Sequence, residues 1–164
     1  MKILKKIVLV LLVLFVFMQF IRPKKNTNKE MTQQHIFNMY PTEENVKTLV
    51  GNACNDCHSN NTNYPWYAEV QPIAWWLNDH VQEGKKHFNI SEFGAYSLRK
   101  QYHKLEEVVD EVKEKKMPLE NYTWMHKNSK ITDEQRTIIA SWATTIMDSM
   151  KAKYPIDSLI KKKS

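Results

Sequence analysis

At 164 residues the chain has room for one domain and an appendage, and its length suffices for a single core. The formal charge of +6 comes wholly from Lys2, Lys5, Lys6, Arg22, Lys24 and Lys25, because from Asn26 onward basic and acidic residues balance. A formally neutral domain offers no basic footprint for phosphates, which argues against a nucleic-acid partner.

The first element is an apolar run from Ile7 to Ile21, broken only by Gln19 and closed by Arg22-Pro23-Lys24-Lys25. A helix from Ile3 to Ile21 would span roughly 28 Å at about 1.5 Å per residue, near the hydrocarbon thickness of a bilayer, with Lys5 and Lys6 snorkelling to the headgroups. The first alanine is Ala53, the first glycine Gly51 and the first serine Ser59, so no signal-peptidase site follows the run. No cysteine precedes Cys54, which removes a lipoprotein anchor. Residues 1–25 are therefore expected to form an uncleaved signal anchor, an N-terminal transmembrane helix. Residues 26–40, polar and without periodicity, read as a linker that lifts the domain off the lipid. The domain is expected over residues 41–155, and 156–164 as a basic tail in which Lys161 to Lys163 fray.

Within the domain, Thr42 is expected to cap a helix that buries Val46, Leu49 and Val50 and runs into Ala53-Cys54. Ser59 to Val70, with Tyr64-Pro65-Trp66-Tyr67, reads as an aromatic-weighted loop. Pro72 suits the first turn of a helix with Ile73, Trp76, Leu77, His80 and Val81 on one face and Gly84 at its end. Asn89 or Ser91 is expected to cap the next helix, striped by Leu98, Tyr102, Leu105, Val109 and Val112. Thr132-Asp133-Glu134-Gln135 is a capping box for a last helix that buries Ile138, Ile139, Trp142, Ile146 and Met150 and closes at Tyr154-Pro155. No strand pattern emerges, so the class is all-α.

The chemistry concentrates in Cys54-Asn55-Asp56-Cys57-His58, a Cys-x-x-Cys-His run that reads as a covalent c-type haem attachment site. Both thiols can add to porphyrin vinyl groups, and the imidazole of His58 reaches the iron from the proximal side. Three other readings are weaker. Structural zinc wants four ligands in paired clusters, and no second cysteine pair is present. A redox dithiol wants a preceding strand, whereas Thr42 to Ala53 looks helical. A simple disulfide is the third of these readings.

The run of motifs resembles the bacterial haem-binding domain family of c-type-cytochrome-like proteins. The residues that carry the likeness are Cys-x-Asp-Cys-His-Ser-Asn at 54–60, Tyr64-Pro65-Trp66-Tyr67, His80 within Trp-x-x-x-x-His-Val, Asn-x-Ser-Glu-Phe at 89–93, and Met117-Pro118-Leu119 followed by Tyr122 and His126. The likeness covers about residues 40 to 150. It implies a class I cytochrome-c-like helical domain around one covalently attached haem c, exported and often membrane-tethered, with no assigned substrate.

An iron bound by His58 needs a second axial ligand or has an open position. Met117, at a helix end and before a proline, is the first candidate, much as the axial methionine of class I cytochromes c stands in a loop before the terminal helix. Its thioether would raise the potential relative to two imidazoles. His80 is the rival, as ligand or as partner of a haem propionate, and His126 could bond a propionate as well. His35, His87 and His103 have polar neighbours and read as surface residues. Trp66, Tyr67, Trp75, Trp76 and Tyr64 are expected to shield the porphyrin edge. The functional expectation is one-electron transfer with redox partner proteins, at the cytoplasmic (inner) membrane with the domain facing the periplasm. A haem sensor or peroxidase-like enzyme with a labile sixth site is the alternative, and an accessory domain beside a larger respiratory or sugar-oxidising partner is a third.

Overall fold

The computed structural model describes residues 1–160; the lysines expected to fray at 161–163 lie outside the described residues. Among the described residues the fold is all-α. Apart from a single antiparallel bridge between Thr27 and Asn61, no strand pairing occurs among them.

The centre is an antiparallel pair of long helices, α6 (Leu98–Lys113) and α8 (Asp133–Lys153). The stripe Tyr102, Leu105, Val109 and Val112 is buried as its spacing predicts, and it belongs to one core with Ile139, Ile146 and Met150. The apolar face of α8 is turned slightly from expectation: Ala143 and Met147 are buried, while Ile138 is exposed. Thr132 and Gln135 form the expected capping box at the start of α8. The short α9 (Ile156–Leu159) folds back beneath α6 and buries Leu159. Helix α3 (Glu44–Ala53) lays Val46, Val50 and Ala53 against α8.

Several sequence signals act differently from expectation because tertiary partners compete for them. Glu43, not Thr42, precedes α3; the Thr42 hydroxyl donates to the Tyr40 carbonyl and accepts from the indole N–H of Trp142 at 3.1 Å. Asn89 caps a 3-10 turn at Ile90–Ala95, and Ser97 caps α6. His35 is buried, because its Nδ1 accepts the Phe37 N–H and so caps the one-turn helix α2 (Ile36–Met39).

Helix α1 (Lys2–Met18) has seventeen residues and buries none of them. Its last residues tighten into i→i−3 bonds, Gln19 to Val16, Phe20 to Phe17 and Ile21 to Met18, so the helix stops before the expected Ile21. No helix among the described residues is long and apolar enough to cross a membrane. Residues that follow are bonded to the domain: Asn26 Nδ2 donates to the carbonyl of Ser59, and Asn28 N–H to that of Asn60.

Helix α5 (Ile73–His87) continues past Gly84 to His87 and buries Ala74, Leu77 and Val81, while Ile73 and Trp76 stay exposed. Gly84 does not end the helix. Its backbone packs against the turn of α4 (Asn55–His58), where a Cβ at residue 84 would lie 2.4 Å from the Cys57 carbonyl oxygen. Backbone cannot yield as a flexible side-chain tip does. Gly84→Ala is therefore expected to push α4 off α5 and cost about 1–3 kcal/mol of stability. Denaturant midpoints of the two proteins check this, and an unchanged midpoint would contradict the close packing.

Candidate functional site

A cavity of about 650 Å3 opens between α3, α4, α5, α6 and the segment after α6, within the range of roughly 300–1,000 Å3 common to cofactor sites. Cys54, Cys57 and His58 of the pentapeptide, together with His80 and Met117 from far along the chain, all line it. Trp66, Tyr67 and Trp76 do not. Trp66 is 79% exposed on the 3-10 turn Trp66–Glu69, and Trp76 packs at a tilt against His80 outside the cavity wall with ring centroids 4.3 Å apart. The apolar wall comes instead from Val50, Val108, Val112, Ile139 and Trp142, with Phe88 and Ile90 behind His58.

Cys54 ends α3 and α4 begins at once, so the pentapeptide is one helical turn wedged between α3 and α5. Its geometry is fixed from several sides. Asp56 accepts the Tyr122 hydroxyl at 2.7 Å on Oδ2 and the Asn63 N–H at 2.8 Å on Oδ1, and the Thr62 hydroxyl donates to its carbonyl at 2.6 Å. Burial and the Asp56 carboxylate raise the Tyr122 pKa, so this phenol remains a donor. Tyr122 stands on α7 (Glu120–Met125) and lines the cavity too.

His58 Nδ1 lies 2.9 Å from the Phe88 carbonyl oxygen. A carbonyl only accepts, so the proton sits on Nδ1 and Nε2 keeps its lone pair for a metal. Burial lowers the His58 pKa, which favours the neutral, ligating ring. The backbone bond that orients a metal-binding histidine is thus in place.

Burial, and the charge of Cys57, push the Cys54 thiol up to about 12; burial, and then Asp56, push Cys57 up to about 11. Both cysteines are free thiols. A redox dithiol needs a lowered thiol pKa, so the reading as a thioredoxin-like pair is unsupported here. Among the described residues no group of three or more His, Cys, Asp or Glu is placed to hold a metal ion on its own, which leaves the zinc reading without a ligand set. A largely apolar cavity with two thiols and one oriented imidazole on a single turn fits a haem.

Met117 follows α6 after Lys115, which has φ of 60°, so the chain reverses sharply there. Arg136 of α8 holds the reversal: its Nη1 donates to the carbonyls of Met117 at 2.6 Å and Val112 at 3.0 Å. Asp133 lies beside both Arg136 and Lys115. Arg136→Ala is expected to lower stability by about 1–3 kcal/mol, the worth of bonds to a charged, mostly buried donor, with Arg136→Lys recovering part of it. Urea melts of the three proteins measure this; an Arg136→Ala midpoint equal to wild type would show that the segment does not depend on Arg136.

His80 is half-buried, and its Nδ1 bonds the Trp76 carbonyl at 2.9 Å, leaving Nε2 with a lone pair. His126 caps the end of α7 and lies 3.3 Å from the Tyr67 hydroxyl, outside the cavity lining. Sequence reading singles out neither Phe88 nor Arg136, takes Gly84 only as a helix end and names Asp56 only as part of the pentapeptide.

An all-α domain that closes a largely apolar pocket over a Cys-x-x-Cys-His turn has the build of a haem protein. Residues 13–145 match the haem-binding domain family, most of the chain, and the protein belongs to that family. No curated protein and no solved structure gives a significant match.

Proposed function

We propose that this haem protein is a membrane-tethered c-type electron carrier, with Cys54 and Cys57 joined to one haem by thioethers and His58 and Met117 as the axial ligands. One observation carries the reading: the attachment turn, an imidazole with its Nδ1 already committed to Phe88, and a methionine from beyond α6 line the same cavity. The haem supplies a one-electron ferric/ferrous couple. The chain's part is to hold it at fixed points and to exclude water with an apolar wall, which favours the less charged reduced state. His58 Nε2 and Met117 Sδ, a soft donor suited to iron, complete the ligand set.

The apolar α1 supports a tether, with the domain at the inner membrane and facing the periplasm, where c-type haem is attached. The partners are then redox proteins. The test is an equilibrium potential titration of the purified protein. A reversible single-electron curve, with fast exchange to a soluble redox dye and no turnover of hydrogen peroxide, is expected. Rapid peroxide consumption would instead identify an enzyme with a labile sixth position, for which His80 is the available base.

A further inference from the structure

The junction between α1 and the domain is built rather than loose. The Gln71 N–H donates to Gln19 Oε1 at 2.9 Å, and Gln19 Nε2 returns a bond to the Gln71 carbonyl at 3.4 Å. Gln71 Nε2 and Trp75 Nε1 both donate to the Ile21 carbonyl at 2.8 Å. Gln71 is only 1% exposed, so this amide is enclosed by its partners. Arg22 and Lys25 then pair with Glu69, and residues 22–25 run along Ala74 and Asn78 of α5. The foot of α1 thus meets the N-terminal end of α5.

Around that meeting point four large apolar side chains face outward: Phe20 at 80% exposure, Ile21 at 65%, Ile73 at 40% and Trp76 at 49%. Ile73 and Trp76 are three residues apart and share a face of α5. Every large apolar residue of α1 from Ile3 to Phe17 is exposed as well.

We propose that Phe20, Ile21, Ile73 and Trp76 form a lipid-contact collar, so that the domain rests on the bilayer in one fixed orientation instead of hanging from a flexible tether. The proposal rests on the tether reading above. Continuity carries it: whatever lipid covers α1 meets the collar at the same edge, because the Gln19–Gln71 and Ile21–Trp75 bonds leave no slack between them. Length gives a second argument. The seventeen residues of α1 rise about 26 Å, a few ångströms less than a hydrocarbon core of about 30 Å, and the collar supplies the missing apolar layer. An indole suits the boundary between acyl chains and headgroups, and Arg22, Lys24 and Lys25 stand beside it where anionic headgroups lie. His80, which lines the cavity, is seven residues beyond Ile73, at most about 11 Å of helix rise. The His80 edge of the cavity then lies close to the headgroups, where a redox partner in the same membrane reaches it.

The full chain in nanodiscs of phosphatidylethanolamine and phosphatidylglycerol, doped with a phospholipid carrying a diazirine near its headgroup, tests this by irradiation and peptide mapping. Adducts on α1, on Phe20–Ile21 and on Ile73–Trp76, with none on the exposed faces of α6 and α8, are expected. Adducts confined to α1 and Phe20–Ile21 overturn the collar and leave the tether standing. Adducts spread evenly over α6 and α8 also overturn the fixed orientation, and no adducts anywhere overturn the tether and the collar together.

Discussion

Met117→Ala is expected to yield a protein that still carries its haem but binds carbon monoxide and imidazole readily, where the wild type binds neither. Among the described residues that line the cavity, the thioether is the only soft donor apart from the two thiols, and alanine supplies no donor in its place. The reduction potential should fall by on the order of 0.1 V, a fraction of the roughly 0.8 V that axial ligands span. Fold stability should change less than for a core truncation, because Met117 is half-buried and its segment is held through backbone carbonyls by Arg136. Ligand-binding titrations followed by absorption check this. A variant with the wild-type ferric spectrum and no affinity for carbon monoxide would mean that His80 is the sixth ligand, and Met117→Ala with His80→Ala together would then open the site.

Cys54→Ala with Cys57→Ala should abolish covalent attachment altogether. Denaturing electrophoresis with haem staining is expected to show a coloured band for the wild type, a weaker one for each single variant and none for the double variant. His58 remains in place through its bond to Phe88, so the double variant should still take up added haem reversibly, and acid solvent should extract it. A stained band in the double variant would show that the attachment runs through another residue. The substitutions themselves are small, and both thiols are half-buried at the cavity wall, so loss of the whole fold is not expected.

What was legible in the chain was what depends on residues close in sequence. The Cys-x-x-Cys-His run is a five-residue motif that forms one helical turn, the stripe of α6 is a helical period, and the box at Thr132 spans four residues; the stripe and the box stand in the structure where their local patterns placed them. Long-range partners decided the rest. Gly84 resembled a helix stop, yet it is a point of contact between α5 and the Cys57 carbonyl, which only the folded packing reveals. The aromatic residues after His58 looked like pocket walls, but Trp66 and Trp76 are exposed, and among the described residues the tryptophan that lines the cavity is Trp142 on α8. His35 read as a surface residue until a cap gave its ring a buried role. Position before a proline singled out Met117, but its placement rests on Arg136, nineteen residues further along the chain.

Covalent attachment and His58–Met117 ligation are read together in the absorption spectrum of the purified full chain, oxidised and reduced, with and without carbon monoxide. Thioether attachment with His58 and Met117 ligation predicts a low-spin haem in both states that resists extraction by acid solvent and leaves the reduced spectrum unmoved by carbon monoxide, as two filled axial positions and two thioethers require. A high-spin ferric spectrum with prompt carbon monoxide binding, or a haem that passes into acid solvent, would contradict it.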